Sequence, residues 1–547
     1  MLLGSSFVRT TLIFVGLFAC SSILFSQEST RPLELPTFIV EGVEQHNIRS
    51  GIKQVPKNTP VLSSEELDSL NSFEKQPPAL LPTDKFPEHY LEKSYSYGFV
   101  NASYGLFNTP VASAGLRFIA DKFDIFATLG GSYSDGDAAN SGNSKLFLDV
   151  RTSYIADEKF FIFGGSNTRT NLFVNTQNYN FYGYGNNTSD KREIYPSKNY
   201  YDRSLTQGKF EVISDGNYEN AVFSVGGTAN YITTSSGVDS APHLLSKEID
   251  NFYARGFLDV KNYWKSFLVG GNLFVNFENA NNNNQNFFQL DGSLSYFDRK
   301  LSVLGNIGFQ LGNNSNDSYR TGLLISGNLE YRISSYFTLR GKVFSGLVKT
   351  EFEDIITSNP YLSSRFLIDH RYDKLNTNLS LFIHPTEKVL LSLGANIQLS
   401  DRILNYVMDT LSQFRIDYVD GSITEIFGEV FLNITNNDRI VSKLSFNIIV
   451  VNDAIFNYLT YLPDIKFSAT YNRKLLSNLN AFACVQFFGT QNTSTDSRFN
   501  KELTSHFLID IGADWMIKPF NIYLKLNNLT NTNYFVFERY RERGFFI

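Results

Sequence analysis

Few residues in this chain are placed for catalysis. The histidines are His46, His89, His243, His370, His384 and His506. None stands at a metalloprotease spacing, and no Gly-x-Ser-x-Gly lies at a strand-to-helix turn. A hydrolase needs a nucleophile held against a base, usually a histidine, so the sequence argues against an enzyme. His384, just before Pro385, reads as a polar-face or turn residue. His370, between Asp369 and Arg371, reads as a solvated loop residue. Ala280–Asn286 is rich in amides, which are weak metal ligands and favour turns. That stretch reads as a flexible loop, and no metal or other cofactor is expected. Tyr179, Phe181, Tyr182, Tyr184, Tyr200 and Tyr201 fall in a predicted 168–202 loop. Such aromatics can stack on sugars, dock a partner or form an interfacial girdle.

Composition narrows the class. The formal charge is −6 and only 19% of residues are charged, so there is no cationic excess for nucleic acid. Apolar content of 42% is too high for a disordered chain. Phe (50) and Tyr (30) dominate the aromatics. No stretch after residue 26 reaches ~18 apolar residues in a row, so a helical span of the mature chain is not expected. Residues 1–26 read as a signal peptide: Arg9, then an apolar run from Leu12, small residues to Ser26 and polar Gln27-Glu28. Removing Cys20 with that peptide leaves Cys484 alone, and a single thiol closes no internal disulfide. Packing and backbone hydrogen bonds must hold the chain together.

Two regions must position whatever function there is. Residues 27–94 hold Pro32, Pro36, Pro56, Pro60, Pro77, Pro78, Pro82 and Pro87, and proline suits neither a sheet ladder nor a helix. The stretch reads as extended, either periplasmic or occupying a lumen. Its one helical signal is Ser63–Leu70, where Ser63 and Glu66 have capping-box spacing. From 95 to 547 the pattern alternates with period two, the mark of strands with unlike faces. Leu301, Val303, Gly305, Ile307, Phe309 and Leu311 share one face. So do Leu323, Ile325, Gly327, Leu329, Tyr331 and Ile333. The same alternation recurs around 221–231, 267–277, 288–296, 375–383, 389–399 and 507–515.

Three features separate this from a soluble sandwich. The segments run to roughly ten to thirteen residues, where strands commonly have about five or six. Their polar faces carry Asn, Ser, Gln and Gly rather than charge. Short turns near 121–122, 156–158, 215–217, 262–265, 298–300, 334–336, 385–388, 435–439, 474–478 and 518–519 interleave with longer connectors. Those lie at 135–143, 168–202, 232–248, 279–286, 313–319, 350–371, 400–421, 452–461, 491–505 and 528–541, and 108–110 is short where a long one is due. This is the rhythm of an all-β transmembrane antiparallel barrel of about 22 strands. In hydrocarbon every backbone polar group must pair internally, which a closed barrel achieves. Its outward faces would meet outer-membrane lipids.

Leu524-Lys525-Leu526-Asn527-Asn528-Leu529-Thr530-Asn531-Thr532-Asn533-Tyr534 resembles the penultimate strand and following loop of TonB-dependent receptors. The resemblance implies a barrel in the cell outer membrane and a role in transport or passage. It also implies TonB as a partner, and Thr37, Phe38, Ile39, Val40 and Glu41 look like the short apolar box that engages it. Two departures stand out. Residues 27–94 are shorter than the family's lumen-filling plug and lack its later signatures, so the chain resembles a relative without a full plug. A wide lumen then needs another filler: 27–94, folded-in outer loops or a partner. After Arg543 only four residues remain for a final strand, which points to a truncated product or a shortened closing strand. A structural or assembly barrel holding a surface lipoprotein or secretion partner is the alternative reading. A diffusion porin fits less well, because the polar faces carry few charges.

Overall fold

The computed structural model describes residues 98–547, apart from 137–140, 158–164, 182–201, 219–220, 237–247, 281–282, 314–318, 364–365, 409–412, 454–457, 494–501, 519, 539, 543 and 546. The signal peptide, the 27–94 segment and Thr37–Glu41 lie outside the described residues. Twenty-one strands form one antiparallel sheet in which each pairs with its sequence neighbours. The first eight are β1 (Gly98–Gly105), β2 (Thr109–Ala120), β3 (Phe123–Ser134), β4 (Asn143–Ile155), β5 (Asn167–Asn180), β6 (Asp202–Tyr218), β7 (Ala221–Ser236) and β8 (Glu248–Trp264). Then come β9 (Phe267–Ala280), β10 (Asn283–Phe297), β11 (Leu301–Asn313), β12 (Tyr319–Arg332) and β13 (Phe337–Val348). A short helix, α1 (Phe352–Ser358), precedes β14 (Arg371–Thr386), β15 (Val389–Met408), β16 (Phe414–Asn433), β17 (Asp438–Val451), β18 (Ile465–Leu476) and β19 (Leu479–Phe488). A small hairpin, β20 (Gln491–Asn492) with β21 (Glu502–Leu503), interrupts the series before β22 (His506–Ile517) and β23 (Phe520–Leu526).

The C-terminal residue meets the end of β1. The Leu106 N–H, just after β1, donates to the Ile547 carbonyl at 3.2 Å. Among the described residues no ladder joins β1 to β23. The chain after β23 turns over the end of β22 instead. Asn528 holds that turn: its N–H donates to Asp510 Oδ1, its Nδ2 donates to the Thr532 carbonyl and its Oδ1 accepts the Thr532 N–H. Beyond it lies another small hairpin, β24 (Phe535–Phe537) with β25 (Tyr540–Arg541). Among the described residues twenty-one strands lie in the sheet, in keeping with the expected count of about twenty-two, and the described residues of 527–547 add no strand to it.

Register aligns the faces as the alternation predicts. Ile307 pairs with Ile325, Phe309 with Leu323 and Val303 with Leu329. Ile307, Phe309, Leu323, Ile325 and Leu329 are all exposed, as are Leu290 and Leu294 on β10. A belt of bare Leu, Ile and Phe would be ruinous in water, but it is what a lipid-facing wall requires. No described helix is long and apolar enough to cross a membrane, and the strands do the crossing. The fold is a transmembrane antiparallel β-barrel.

Several boundaries differ from the sequence expectation. β5 runs through the predicted 168–202 loop as far as Asn180, and β6 continues past 215–217 to Tyr218. The amide run at 280–286 belongs to β9 and β10, joined by only two residues. There Asn279 Nδ2 donates to Asn284 Oδ1 across the strands, so amides that favour turns in isolation pair with each other in a ladder. β15 and β16, twenty residues each, extend through most of the predicted 400–421 loop.

Candidate functional site

The loop that joins β13 to β14, residues 349–370, turns inward and crosses the barrel mouth. It leaves β13 through a bulge at Phe344/Gly346. Gly346 has φ +152, and a Cβ there would meet Gln310 Oε1 at 2.5 Å, so glycine is required. Gln310 clamps the exit from both sides: its Oε1 accepts the Leu347 N–H at 2.7 Å and its Nε2 donates to the Leu347 carbonyl at 3.1 Å.

α1 follows. Glu353 and Asp354 in its first turn suit the positive end of the helix, and it stops before Pro360, which disfavours a helical Asn359. Phe352, Ile355 and Ile356 form its buried face. With Leu362, Phe366 and Ile368 they pack on Tyr179, Leu205, Ile232, Ile249 and Ala280 of the wall. Those wall residues sit on the lumen side near the loop end of the strands. There the polar face gives way to an apolar ring, and the loop covers it.

The polar contacts converge on Glu353. Its Oε1 accepts from Gln207 Nε2 at 2.8 Å and Lys209 Nζ at 3.1 Å. Its Oε2 accepts from the Tyr253 hydroxyl at 2.7 Å, Asn230 Nδ2 at 3.1 Å and Lys209 Nζ at 3.1 Å. Burial pushes this carboxyl up, but Lys209 and the hydrogen bonds from Tyr253, Lys209 and Gln207 outweigh it and leave it below the usual carboxylate value. Asp354 has no such cradle. Burial, with Glu351 and Glu353 nearby, raises its carboxyl. Glu351 pairs with Lys349 and with Arg255, the latter at 3.6 Å, and the Phe352 N–H donates to Glu278 at 3.0 Å.

Past the helix the loop reaches both walls. The Tyr179 hydroxyl donates to the Pro360 carbonyl at 2.7 Å, and Arg203 donates to the Leu362 carbonyl at 2.5 Å. From the far side Phe414 of β16 exchanges backbone bonds with Tyr361 and Ser363, at 3.0 and 2.7 Å. A segment bonded at once to β5–β6 and to β16 spans the lumen. Tyr361 also stacks on Tyr540 of β25, centroids 3.6 Å apart. Phe181, Met408, Phe414, Phe537 and Tyr540 complete an aromatic cap.

The return limb is tied as firmly. The Gln285 amide donates to the Ile368 carbonyl at 2.6 Å, Asp369 pairs with Arg402, and the Asp369 N–H donates to the Tyr418 hydroxyl at 2.8 Å. His370 is 2% exposed, which corrects the expectation of a solvated loop residue. The loop folds inward and seats the ring against Phe287, centroids 5.5 Å apart. Burial pushes its pKa down to about 4; a backbone hydrogen bond to Asn286 pulls the other way, while Lys349 and Arg320 add to the lowering.

Of the residues singled out from sequence, Tyr179 and Phe181 join this assembly, facing inward rather than forming a girdle. Tyr182, Tyr184, Tyr200 and Tyr201 lie outside the described residues. His384 lies two residues before the end of β14, beside the short turn at 334–336, where its N–H donates to the Tyr336 carbonyl at 2.8 Å. His506 lies between Phe488 and Tyr534, at 5.0 and 4.5 Å. The cradle of Gln207, Lys209, Asn230 and Tyr253 was missed. Its members are spaced two apart on strands, like any lumen-facing residues, and only the tertiary position of Glu353 unites them.

No protein-family model matches the sequence, and none of the curated proteins does. Solved structures do. The FrpB iron transporter of Neisseria meningitidis (F3-3 variant) superposes with a TM-score of 0.64 at 9% identity, over 84% of this chain and 81% of that one. The ferric-catecholate import receptor Fiu of E. coli K12 gives 0.61 at 11% identity, over 83% and 80%. The copper transporter OprC gives 0.61 at 11% identity, over 82% and 81%. The chain has the barrel fold of the TonB-dependent receptors.

Proposed function

We propose that this protein is a transport receptor of the cell outer membrane, a passage component whose mouth is closed by its own β13–β14 loop. The observation that carries the reading is the bridge itself. Tyr361, Leu362 and Ser363 bond to β5–β6 on one wall and β16 on the other, inside a barrel whose fold is shared with metal and siderophore transporters. A barrel of this strand number encloses a lumen wide enough to leak, and a wall-anchored loop stops the leak. Much of the wall below it carries paired charges, such as Glu330 with Arg340 at 2.9 Å, which leaves a polar path without a strong single-sign field. TonB would energise opening through Thr37–Glu41, and 27–94 would supply the periplasmic or lumen-occupying segment.

Planar-bilayer conductance of the purified full chain tests this. The native protein should conduct poorly. A variant with residues 351–362 replaced by a Gly-Ser linker should conduct several-fold more while still showing heat-modifiable gel migration. Equal conductance in both would remove the loop as the closure.

A further inference from the structure

The way Glu353 is held exceeds what anchoring a loop requires. Elsewhere the loop is fixed by one or two hydrogen bonds at a time, as at Ile368 or Leu362. At Glu353 five bonds from four side chains saturate both oxygens of one carboxylate. That is how a carboxylate ligand is bound. The donors stand on three adjacent strands, β6, β7 and β8, with their side chains turned to the lumen.

Part of the cradle is built independently of the loop. Gln207 Nε2 also donates to Asn230 Oδ1 at 3.2 Å, so two of the four donors orient one another. Beside them Arg255 is steadied by Thr228 at 3.1 Å and Glu211 at 3.4 Å. If the loop leaves, Glu353 and Glu351 leave with it. Lys209 then loses its acid, while Arg255 keeps Glu211. The wall is left with four lumen-facing donors, two of them oriented by each other, and one uncompensated positive charge, facing the path a solute would take.

We propose that Gln207, Lys209, Asn230 and Tyr253 form a binding subsite for a carboxylate-bearing solute, and that Glu353 occupies it as a built-in competitor. The proposal rests on the loop being the closure of the mouth. A solute carboxylate arriving at the cradle replaces Glu353, and opening is thereby coupled to the chemistry of what enters. One cation and donors divided two and three between two oxygens match a planar monoanionic group.

Current block in planar bilayers tests it, with citrate as the carboxylate probe and sulfate at matched ionic strength as the control. Glu353→Gln, nearly isosteric, should raise conductance, and citrate should block it at concentrations about tenfold or more below sulfate. Adding Lys209→Gln should raise the half-blocking citrate concentration about tenfold or more, the loss expected when a hydrogen bond to a charged group is removed. It should leave sulfate unchanged. The same comparison in the barrel with 351–362 replaced keeps the test valid if Glu353→Gln folds poorly. Equal block by citrate and sulfate in an open barrel, or indifference to Lys209→Gln, overturns the subsite and leaves the loop as closure intact. If neither the Gln variant nor the loop replacement conducts more than native protein, the closure itself fails and the competitor role fails with it.

Discussion

Two titrating residues of the loop, His370 and Glu353, favour its release in acid, while Asp354, whose carboxyl burial and its acidic neighbours raise, favours the seated loop as pH falls. His370 is buried and neutral, with a pKa of about 4 against about 6.5 for a free imidazole. A released loop therefore takes up a proton at His370 below pH 6.5, while the seated loop resists until about 4. Within that window falling pH favours release, by up to about tenfold per pH unit. Glu353 acts lower. Its carboxyl is held below its ordinary value, so its contribution to closure is complete above about pH 4.5 and fades as pH falls through the lower seated value. Conductance of the native protein should rise as pH drops from 7 toward 4.5. His370→Phe, which keeps a ring against Phe287 but cannot titrate, should flatten that rise. A profile that survives the substitution unchanged would refute the assignment. Nothing local marks His370 for burial: Asp369-His370-Arg371 reads as a solvated charge run, and only the inward fold of the whole loop removes it from water.

At the scale of elements, what was legible and what was not follow from the period of two. Leu323, Ile325, Leu329 and Tyr331 could be assigned outward from sequence because lipid demands apolar groups at every second position, and all four are exposed. Leu329→Arg should cost roughly 2–4 kcal/mol if near the bilayer midplane. Ser326→Arg, on the lumen face one strand position out of phase, should cost far less. Surface expression and heat-modifiable migration would separate them, and equal damage would mean the faces are wrongly assigned. The loop ends were harder to read. Ile232 and Ile249 share the parity of the polar face, so alternation assigns them to water, yet the loop buries them at 1% and 0%. The outer parts of β15 and β16 read as loop because both of their faces are covered. Leu404 and Tyr406 meet the inward loop, while Ile403, Val407, Val419 and Ile423 pack with Leu459 and Leu462. A strand buried on both sides loses its alternation. The 350–371 connector matches the loop at 349–370, but sequence offered three fillers for the lumen and could not choose, since the contacts that hold the loop come from strands as far as 181 residues away.

For the whole molecule, the proposed reading puts closure and energy input on different segments. The mouth is closed by 349–370 and the aromatic cap, at the loop end of the barrel. β1 begins at the opposite, short-turn end, because its far end, Gly105, pairs with Thr109 across the connector at the mouth. Gly98, the first residue of β1, therefore lies on the side that the rhythm of turns makes periplasmic, where TonB would have to reach Thr37–Glu41. An extended apolar stretch engages such a partner by adding a strand, using its own backbone N–H and C=O groups. Ile39→Pro removes one donor and restricts Phe38, without touching any described residue of the barrel. Single cysteines at positions 37 to 41 should crosslink to TonB in intact cells, and Ile39→Pro should sharply reduce that crosslink while leaving the conductance of the purified barrel unchanged. If no position crosslinks in the native background, the periplasmic pull loses its handle. Opening would then have to come from the solute displacing Glu353 at the mouth, or the barrel would serve as a scaffold for a surface partner. Conductance with and without citrate would separate those two.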